Sequence, residues 1–160
     1  MAFPPTNLVP PSLSDYQWSY NNVTLGASTP LGVLQVTGLT DLPQIRSGDP
    51  NQPRANGQFI GLDLYGGRDI TFNVFAKTDG VSLQDTLNLF AAATVVGLTT
   101  EQPLWFQLPN YPILCVMCRP RKRSTPIDKN YEVNIAYPVA QFHATDPNIY
   151  AAPQTVSVGL

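Results

Sequence analysis

The stretch Asn56-Gly-Gln-Phe-Ile-Gly-Leu-Asp-Leu-Tyr-Gly-Gly-Arg-Asp-Ile-Thr-Phe-Asn-Val-Phe-Ala76 alternates with a period of two. On its outgoing arm Ile60, Leu62 and Leu64 share one face, with Phe59, Gly61, Asp63 and Tyr65 on the other. On its return arm Ile70, Phe72 and Val74 alternate with Thr71, Asn73 and Phe75. Alternation of this kind marks half-buried β-strands. Gly66-Gly67 stands between the arms, where a tight reversal needs positive φ at little steric cost. The reading is a β-hairpin with one apolar face on each arm, lying against a hydrophobic layer. Gly57 and Gly61 keep the outgoing strand slim where another backbone comes close.

Length and composition bound what surrounds this pair. A chain of 160 residues holds one domain, which buries roughly 70% of the surface exposed by the unfolded chain. Charged residues are only 12% of the sequence, against about 25% in an average domain. So little charge leaves little surface that must face water, and this points to coverage by other subunits. The net charge of −2 gives no general attraction to nucleic acid or an anionic membrane, so no sequence-specific nucleic-acid partner is expected. No apolar run reaches the roughly 18 residues of a spanning helix, and membrane insertion is not expected. Met1-Ala-Phe-Pro-Pro5 lacks the basic start and apolar core of a signal peptide, so folding in a cytoplasm is expected. The Asn22-Val23-Thr24 sequon then reads as a chance match.

In order, the chain opens with a proline-rich arm over residues 1–12, in which Pro4, Pro5, Pro10 and Pro11 favour extended conformation and exclude a helix. The arm is either a draped terminus or a strap laid on a neighbouring subunit by Phe3, Leu8 and Val9. Residues 13–150 form one β-domain, and residues 151–160 a tail or the start of a linker, with Val156-Ser-Val158 a short strand candidate. A first hairpin is expected from Tyr16 to Leu25 around Asn21-Asn22, placing Tyr16, Trp18 and Tyr20 on one core-facing side. Leu31 to Thr37 is a further strand, and Leu39 to Ala55 has loop chemistry throughout. From Ser82 to Val96 the period becomes helical, with Leu83, Leu87, Phe90, Ala91 and Thr94 on one stripe, Ser82 and Asp85 resembling a capping box, and Gly97 the stop. Strand candidates follow at Pro103 to Leu108, Tyr111 to Pro120 and Tyr131 to Thr145. The fold class is mainly β: a sandwich or barrel with one flanking helix as a lid on its core.

The motifs that suggest chemistry are weak. Cys115-Val-Met-Cys118 has the spacing of a redox or zinc pair, but in a strand, positions three apart face opposite sides of the sheet. Both thiols therefore read as small buried residues, with no metal expected. His143 alternates with Phe142 in a strand and reads as structural. Asp63 and Asp69 flank the glycine pair, while Asp128, Glu132 and Asp146 are scattered, so no catalytic pair, metal loop or cofactor site can be drawn. Arg119-Pro-Arg-Lys-Arg123 reads as a solvated hairpin end or an intersubunit salt-bridge donor.

Taken together, Gly57-Gln-Phe-Ile-Gly61 with Asp63, Gly67, Arg68 and Ile70-Thr-Phe72, then Arg119-Pro-Arg-Lys-Arg123, and Val139-Ala-Gln-Phe-His-Ala-Thr-Asp-Pro147 with Ile149-Tyr150 resemble the N-terminal domain of the distal tail proteins of long-tailed phages. The similarity is greatest to those of phages infecting actinobacteria, and it extends over most of the chain. It implies a β-sandwich related to the tail-tube fold, in a hexameric ring between the last tube ring above and baseplate hub or tip proteins below. It further implies a virion protein assembled in the bacterial host cytoplasm, with no catalytic residues. Many members carry a second, C-terminal domain, sometimes of carbohydrate-binding type, and this sequence stops at Leu160.

A ring subunit needs two complementary surfaces. Candidate contacts are Phe3, Leu8 and Val9 in the arm, Arg46, Asp49 and Arg54 in the long loop, and Arg68, Arg119, Arg121 and Arg123 beyond it. The free edges expected to meet the neighbour are those of the Asn56–Ala76 hairpin or the strand over 128–144. Two other readings stay open. A tail-tube subunit would polymerise into long tubes, and a carbohydrate-binding module would use exposed aromatics such as Trp18, Trp105 or Tyr150.

Overall fold

The computed structural model describes residues 8–78 and 80–152; Phe3 and the strand candidate at 156–158 lie outside them. The strands are β1 (Gln17–Tyr20), β2 (Val23–Gly26), β3 (Leu31–Thr37), β4 (Ile45–Arg46), β5 (Leu64–Tyr65) and β6 (Arg68–Lys77), followed by helix α1 (Leu83–Ala93). Then come β7 (Gln102–Gln107), β8 (Leu114–Ser124), a single 3-10 turn at Lys129–Val133, β9 (Ile135–Ala136), β10 (Val139–Ala144) and β11 (Tyr150–Ala151). One antiparallel sheet runs β2-β1-β7-β8-β10-β6-β3, with β9 beside β6, β11 beside β8, and β4 and β5 forming a separate pair.

The sheet curls because β8 serves two halves. Its first residues pair with β7, from Leu114 opposite Phe106 to Cys118 opposite Gln102. Its later residues pair with β10, from Arg119 opposite His143 to Ser124 opposite Val139. The change of partner coincides with Pro120, which has no N–H to give the ladder, and the register slips between Gln141 and Phe142. The two halves close on a core in which Tyr20 meets Phe142 at 4.9 Å between ring centroids, Phe142 meets Phe72 at 5.6 Å, and Phe72 meets Trp18 at 6.1 Å, all edge to face. The Tyr20 hydroxyl donates to the Cys118 carbonyl, 3.2 Å, and burial pushes its pKa well up. Helix α1 packs on β6 and β2 through Leu83, Thr86, Leu87, Phe90 and Ala93, the lid expected from its stripe.

Local chemistry explains most of these elements. Asn21 and Asn22 both adopt positive φ in the β1–β2 turn, as a two-residue reversal requires. Trp18 and Tyr20 are core residues, while Tyr16 lies before the strand, exposed and at φ 61°. At the helix start, Ser82 Oγ accepts from the Asp85 N–H at 3.1 Å and donates to the Asp85 carboxylate at 2.7 Å. The helix ends at Ala93, earlier than Gly97. Thr94 Oγ1 donates to the Phe90 carbonyl, and Arg123 Nη1 donates to the carbonyls of Ala91, at 2.7 Å, and Thr94. A guanidinium on the last carbonyls also complements the helix dipole.

Three expectations are corrected. The sequence from Asn56 to Ala76 is not one hairpin: β6 is paired along one edge by β10 and along the other by β3, which leaves the outgoing arm no edge to join. Residues 58–66 instead run back along residues 44–51. Gly66 and Gly67 make no positive-φ turn; they admit close neighbours, since a Cβ on Gly67 would sit 2.7 Å from the His143 ring. The basic run 119–123 lies inside β8 rather than at a hairpin tip. Finally, β6 and β10 are interior strands, and the sheet's ends are β2 and β3; Asn134, at φ 58°, interrupts the strand expected over 131–145.

Ile70, Phe72, Val74 and Ala76 on β6 and Ala140, Phe142 and Ala144 on β10 are all buried. Truncation at the meeting point of the two halves, Phe142→Ala, is expected to cost about 3–5 kcal/mol, read as a lower urea midpoint with an unchanged slope.

Candidate assembly surface

Residues 44–66 form a hairpin that leaves the body of the subunit. At its root Gly66 N–H donates to the Gln44 carbonyl at 2.6 Å, and Ile45 and Arg46 pair with Tyr65 and Leu64. Further out the Asp49 carboxylate accepts from the Gly61 N–H at 2.6 Å. Gly61 has to be glycine there, because a Cβ would fall 2.1 Å from the Gly48 carbonyl oxygen. Phe59 N–H donates to the Pro50 carbonyl, Asn51 bridges Gln58, and Gln52 N–H reaches the Gly57 carbonyl at the tip. Gly57, at φ 108° with open space around it, supplies the turn.

The composition of this hairpin is unusual for something exposed to water. Ile45, Phe59, Ile60, Leu62, Leu64 and Tyr65 are all exposed large hydrophobics, as is Leu42 just before the hairpin, and Ile60 is 100% accessible. So many exposed apolar side chains on one short ribbon mark a contact site. A two-stranded ribbon is marginal by itself in water, so the root must be held by something else. Arg68, only 8% accessible at the start of β6, holds it. Its Nη1 donates to the carbonyls of Gly38, Leu39 and Asp41, at 2.9, 2.7 and 2.8 Å, and its Nε to the Pro147 carbonyl at 3.0 Å. Burial pulls its pKa below the ordinary arginine value and Asp41 opposes that shift, yet a guanidinium remains charged.

The other candidate residues are divided between uses. Arg68 spends its donors within the chain, Arg123 on the helix end, and Arg119 gives Nη1 to the Leu98 carbonyl at 3.2 Å. Asp49 stitches the hairpin, whereas Arg46, Arg54 and Arg121 are exposed and their side chains have no hydrogen bond or ion pair to a described residue. Arg121 is the residue skipped in the bulge between β8 and β10. Leu8 is half-buried and Val9 86% exposed; Val9, Pro10 and Pro11 border an open cleft of about 360 Å³ with Asn21, Asn22 and Trp105. His143 Nδ1 lies 2.7 Å from Asp69 Oδ1 across the β6–β10 pair, with Arg119 opposite it on β8. Trp18 and Trp105 are 7% and 6% accessible, so neither offers an open platform for a sugar ring. Cys115 and Cys118 are free and buried, and burial pushes both thiols up. Among the described residues no three His, Cys, Asp or Glu side chains gather as a metal site would need, and no helix is long and apolar enough to cross a membrane. Sequence reasoning missed the projecting hairpin, although Asn56-Gly57 at its tip is a strong reversal signal.

No protein-family model matches the chain, and no curated protein does. Among solved structures it is similar to the Dit (gp 19.1) protein of phage SPP1, described as a paradigm of the hub adsorption apparatus in phages infecting Gram-positive bacteria. The TM-score is 0.64 at 16% identity, over 85% of this chain and 52% of that one. The chain thus spans about half the length of that protein. A second neighbour is the cap that terminates the tube of the anti-feeding prophage, with a TM-score of 0.46 and 12% identity over 92% of this chain and 97% of that one. The fold, shared with the SPP1 protein, is mainly β: a curled sheet, a half-barrel with one helix.

Arg68→Met removes four hydrogen bonds from a charged donor and leaves one buried and three part-buried carbonyls without it. It is expected to cost about 2–4 kcal/mol, measured by urea unfolding, whereas Arg54→Met at the exposed hairpin tip shifts stability by less than about 0.5 kcal/mol.

Proposed function

We propose that this protein is a structural component of a phage tail that forms a ring at the distal end of the tail tube and joins the tube to baseplate hub or tip proteins. The observation that carries this reading is the projecting, apolar hairpin 44–66 on a fold shared with a phage hub protein. An exposed surface of that composition needs cover, and a subunit with one projecting side is equipped for the repeated heterologous contact that closes a ring. The low charge of the chain fits extensive coverage. Hexameric symmetry, a siphophage virion location, assembly in the host cytoplasm, and a tube protein on one face with a hub or tip protein on the other extend the same proposal. So do the interface roles of Val9, Arg46, Arg54 and Arg121, which are accessible for contact. Phe3 and Leu8 would extend the strap that Val9 continues. The role is one of assembly, without catalysis or cofactor.

Light scattering on the purified protein, with negative-stain images of the same peak, tests this. The expected result is a closed ring with a mass about six times that of the 17.5 kDa chain. Long tubes would favour a tail-tube subunit, and a monomer at every concentration would oppose ring formation by this chain alone.

A further inference from the structure

The tip of the 44–66 hairpin carries a chemistry that assembly does not use. Asn56-Gly57 is the one Asn-Gly pair in the sequence, and both residues are exposed at the turn. The side-chain amide carbon of an asparagine is open to attack by the backbone nitrogen of the next residue. The attack needs a nitrogen free of hydrogen bonds, a side-chain amide free to turn, and no side chain on the following residue to crowd the five-membered ring that forms.

All three conditions meet at Asn56. Neither the Gly57 N–H nor the Asn56 side-chain amide has a hydrogen-bond partner among the described residues. Gly57 has no Cβ, and at φ 108° the place where one would stand has no atom within 4 Å. The residues on either side are held instead: Gln52 N–H donates to the Gly57 carbonyl at 3.2 Å, and Gln58 Nε2 donates to Asn51 Oδ1 at 3.0 Å. The other asparagines are all followed by residues larger than glycine. After Asn51, Asn73, Asn110 and Asn130 the next N–H is committed to the carbonyl of Gly57, Pro138, Leu108 and Asp128, respectively. The side-chain amides of Asn88 and Asn148 are bonded to Gln84 and Asp146.

We propose that Asn56 is a self-modification site, at which the folded chain deamidates without an enzyme and with water as the only co-reactant. The Gly57 nitrogen bonds to Asn56 Cγ, the Cγ–Nδ2 bond breaks, and the displaced NH2 leaves with the Gly57 amide proton as ammonia. Water then opens the cyclic imide at one of its two carbonyls. Breaking the ring bond between Cγ and nitrogen gives aspartate. Breaking the bond between the backbone carbonyl and nitrogen gives isoaspartate, in which the main chain runs through Cγ. Either product adds one negative charge to the tip, two residues from the exposed Arg54. Isoaspartate also lengthens the main chain by a methylene inside the turn that the Gln52–Gly57 bond closes.

The test incubates the dilute, folded, full-length protein in mildly alkaline buffer made with heavy-oxygen water, followed by tryptic digestion and mass spectrometry. Cleavage after Arg54 and Arg68 isolates residues 55–68, in which Asn56 is the only asparagine, and fragmentation distinguishes it from Gln58. The expected result is two new chromatographic peaks for this peptide, each heavier by the exchange of NH2 for labelled OH, while the peptides holding other asparagines stay unmodified. The rate is expected to rise with hydroxide concentration, because the Gly57 nitrogen must lose its proton. Gly57→Ala, whose Cβ crowds the ring, is expected to lose most of both products. An Asn56 that stays intact in the folded protein yet deamidates in urea would overturn the proposal, since the fold would then hold the tip against cyclisation. Equal rates at Asn56 and at Asn21 or Asn110 would overturn it, as would products that persist undiminished in Gly57→Ala.

Discussion

Both edges of β6 are occupied, by β10 along residues 68–73 and by β3 along residues 71–76, and the rest of the architecture follows from that constraint. Every backbone group a strand buries must find a partner, and β6 finds its partners on strands far away in sequence. The residues just before it are therefore excluded from the sheet, although they have the alternation of a strand. They can only turn back on residues 44–51 and leave the subunit. The best-packed strand and the most exposed apolar segment are thus consequences of one pairing choice.

The exclusion has an energetic cost at the junction, which Arg68 offsets. Its guanidinium gathers the carbonyls of Gly38, Leu39 and Asp41 on the way into the hairpin and that of Pro147 beyond β10. Donors in a fixed fork suit several carbonyls at once, which a lysine ammonium on a flexible stem does not reproduce. The same economy appears at Arg123, which satisfies the end of α1 from the neighbouring strand. Two arginines that look like surface charge in the sequence are joints of the fold, Arg68 buried and Arg123 bonded to the helix end, while the side chains of Arg46, Arg54 and Arg121 stay free for contact. The hairpin beyond its root is held by little more than its own ladder and the Asp49–Gly61 bond. Its apolar side chains are in water in the single subunit.

Periodicity and turn chemistry carried the sequence reading a long way. The β1–β2 hairpin was legible from Asn21-Asn22, the core face of β6 from Ile70, Phe72 and Val74, and the helix start from Ser82 and Asp85. Pairing was not legible, because alternation tells which face of a strand is apolar without telling which strand lies beside it. Two reversal signals, Asn56-Gly57 and Gly66-Gly67, competed for one stretch; the first makes the turn, and the second serves close packing under His143. The basic run 119–123 misled for a related reason. Charges cluster on the exposed part of a strand as readily as at a tip, and nothing local showed that Pro120 marks a change of partner. The use of Arg68 and Arg123 depends on carbonyls about 30 residues away or farther, so no local pattern could reveal it.

The central claim is that the hairpin 44–66 lacks cover in one subunit and gains it from another. Amide hydrogen exchange, followed on the same protein from dilute to concentrated solution, measures this most directly. The expected result is exchange of residues 58–66 within seconds when dilute and strong protection when concentrated, with the amides of β6 and β10 protected throughout. Equal exchange of the hairpin at both extremes, fast or slow, would contradict the account.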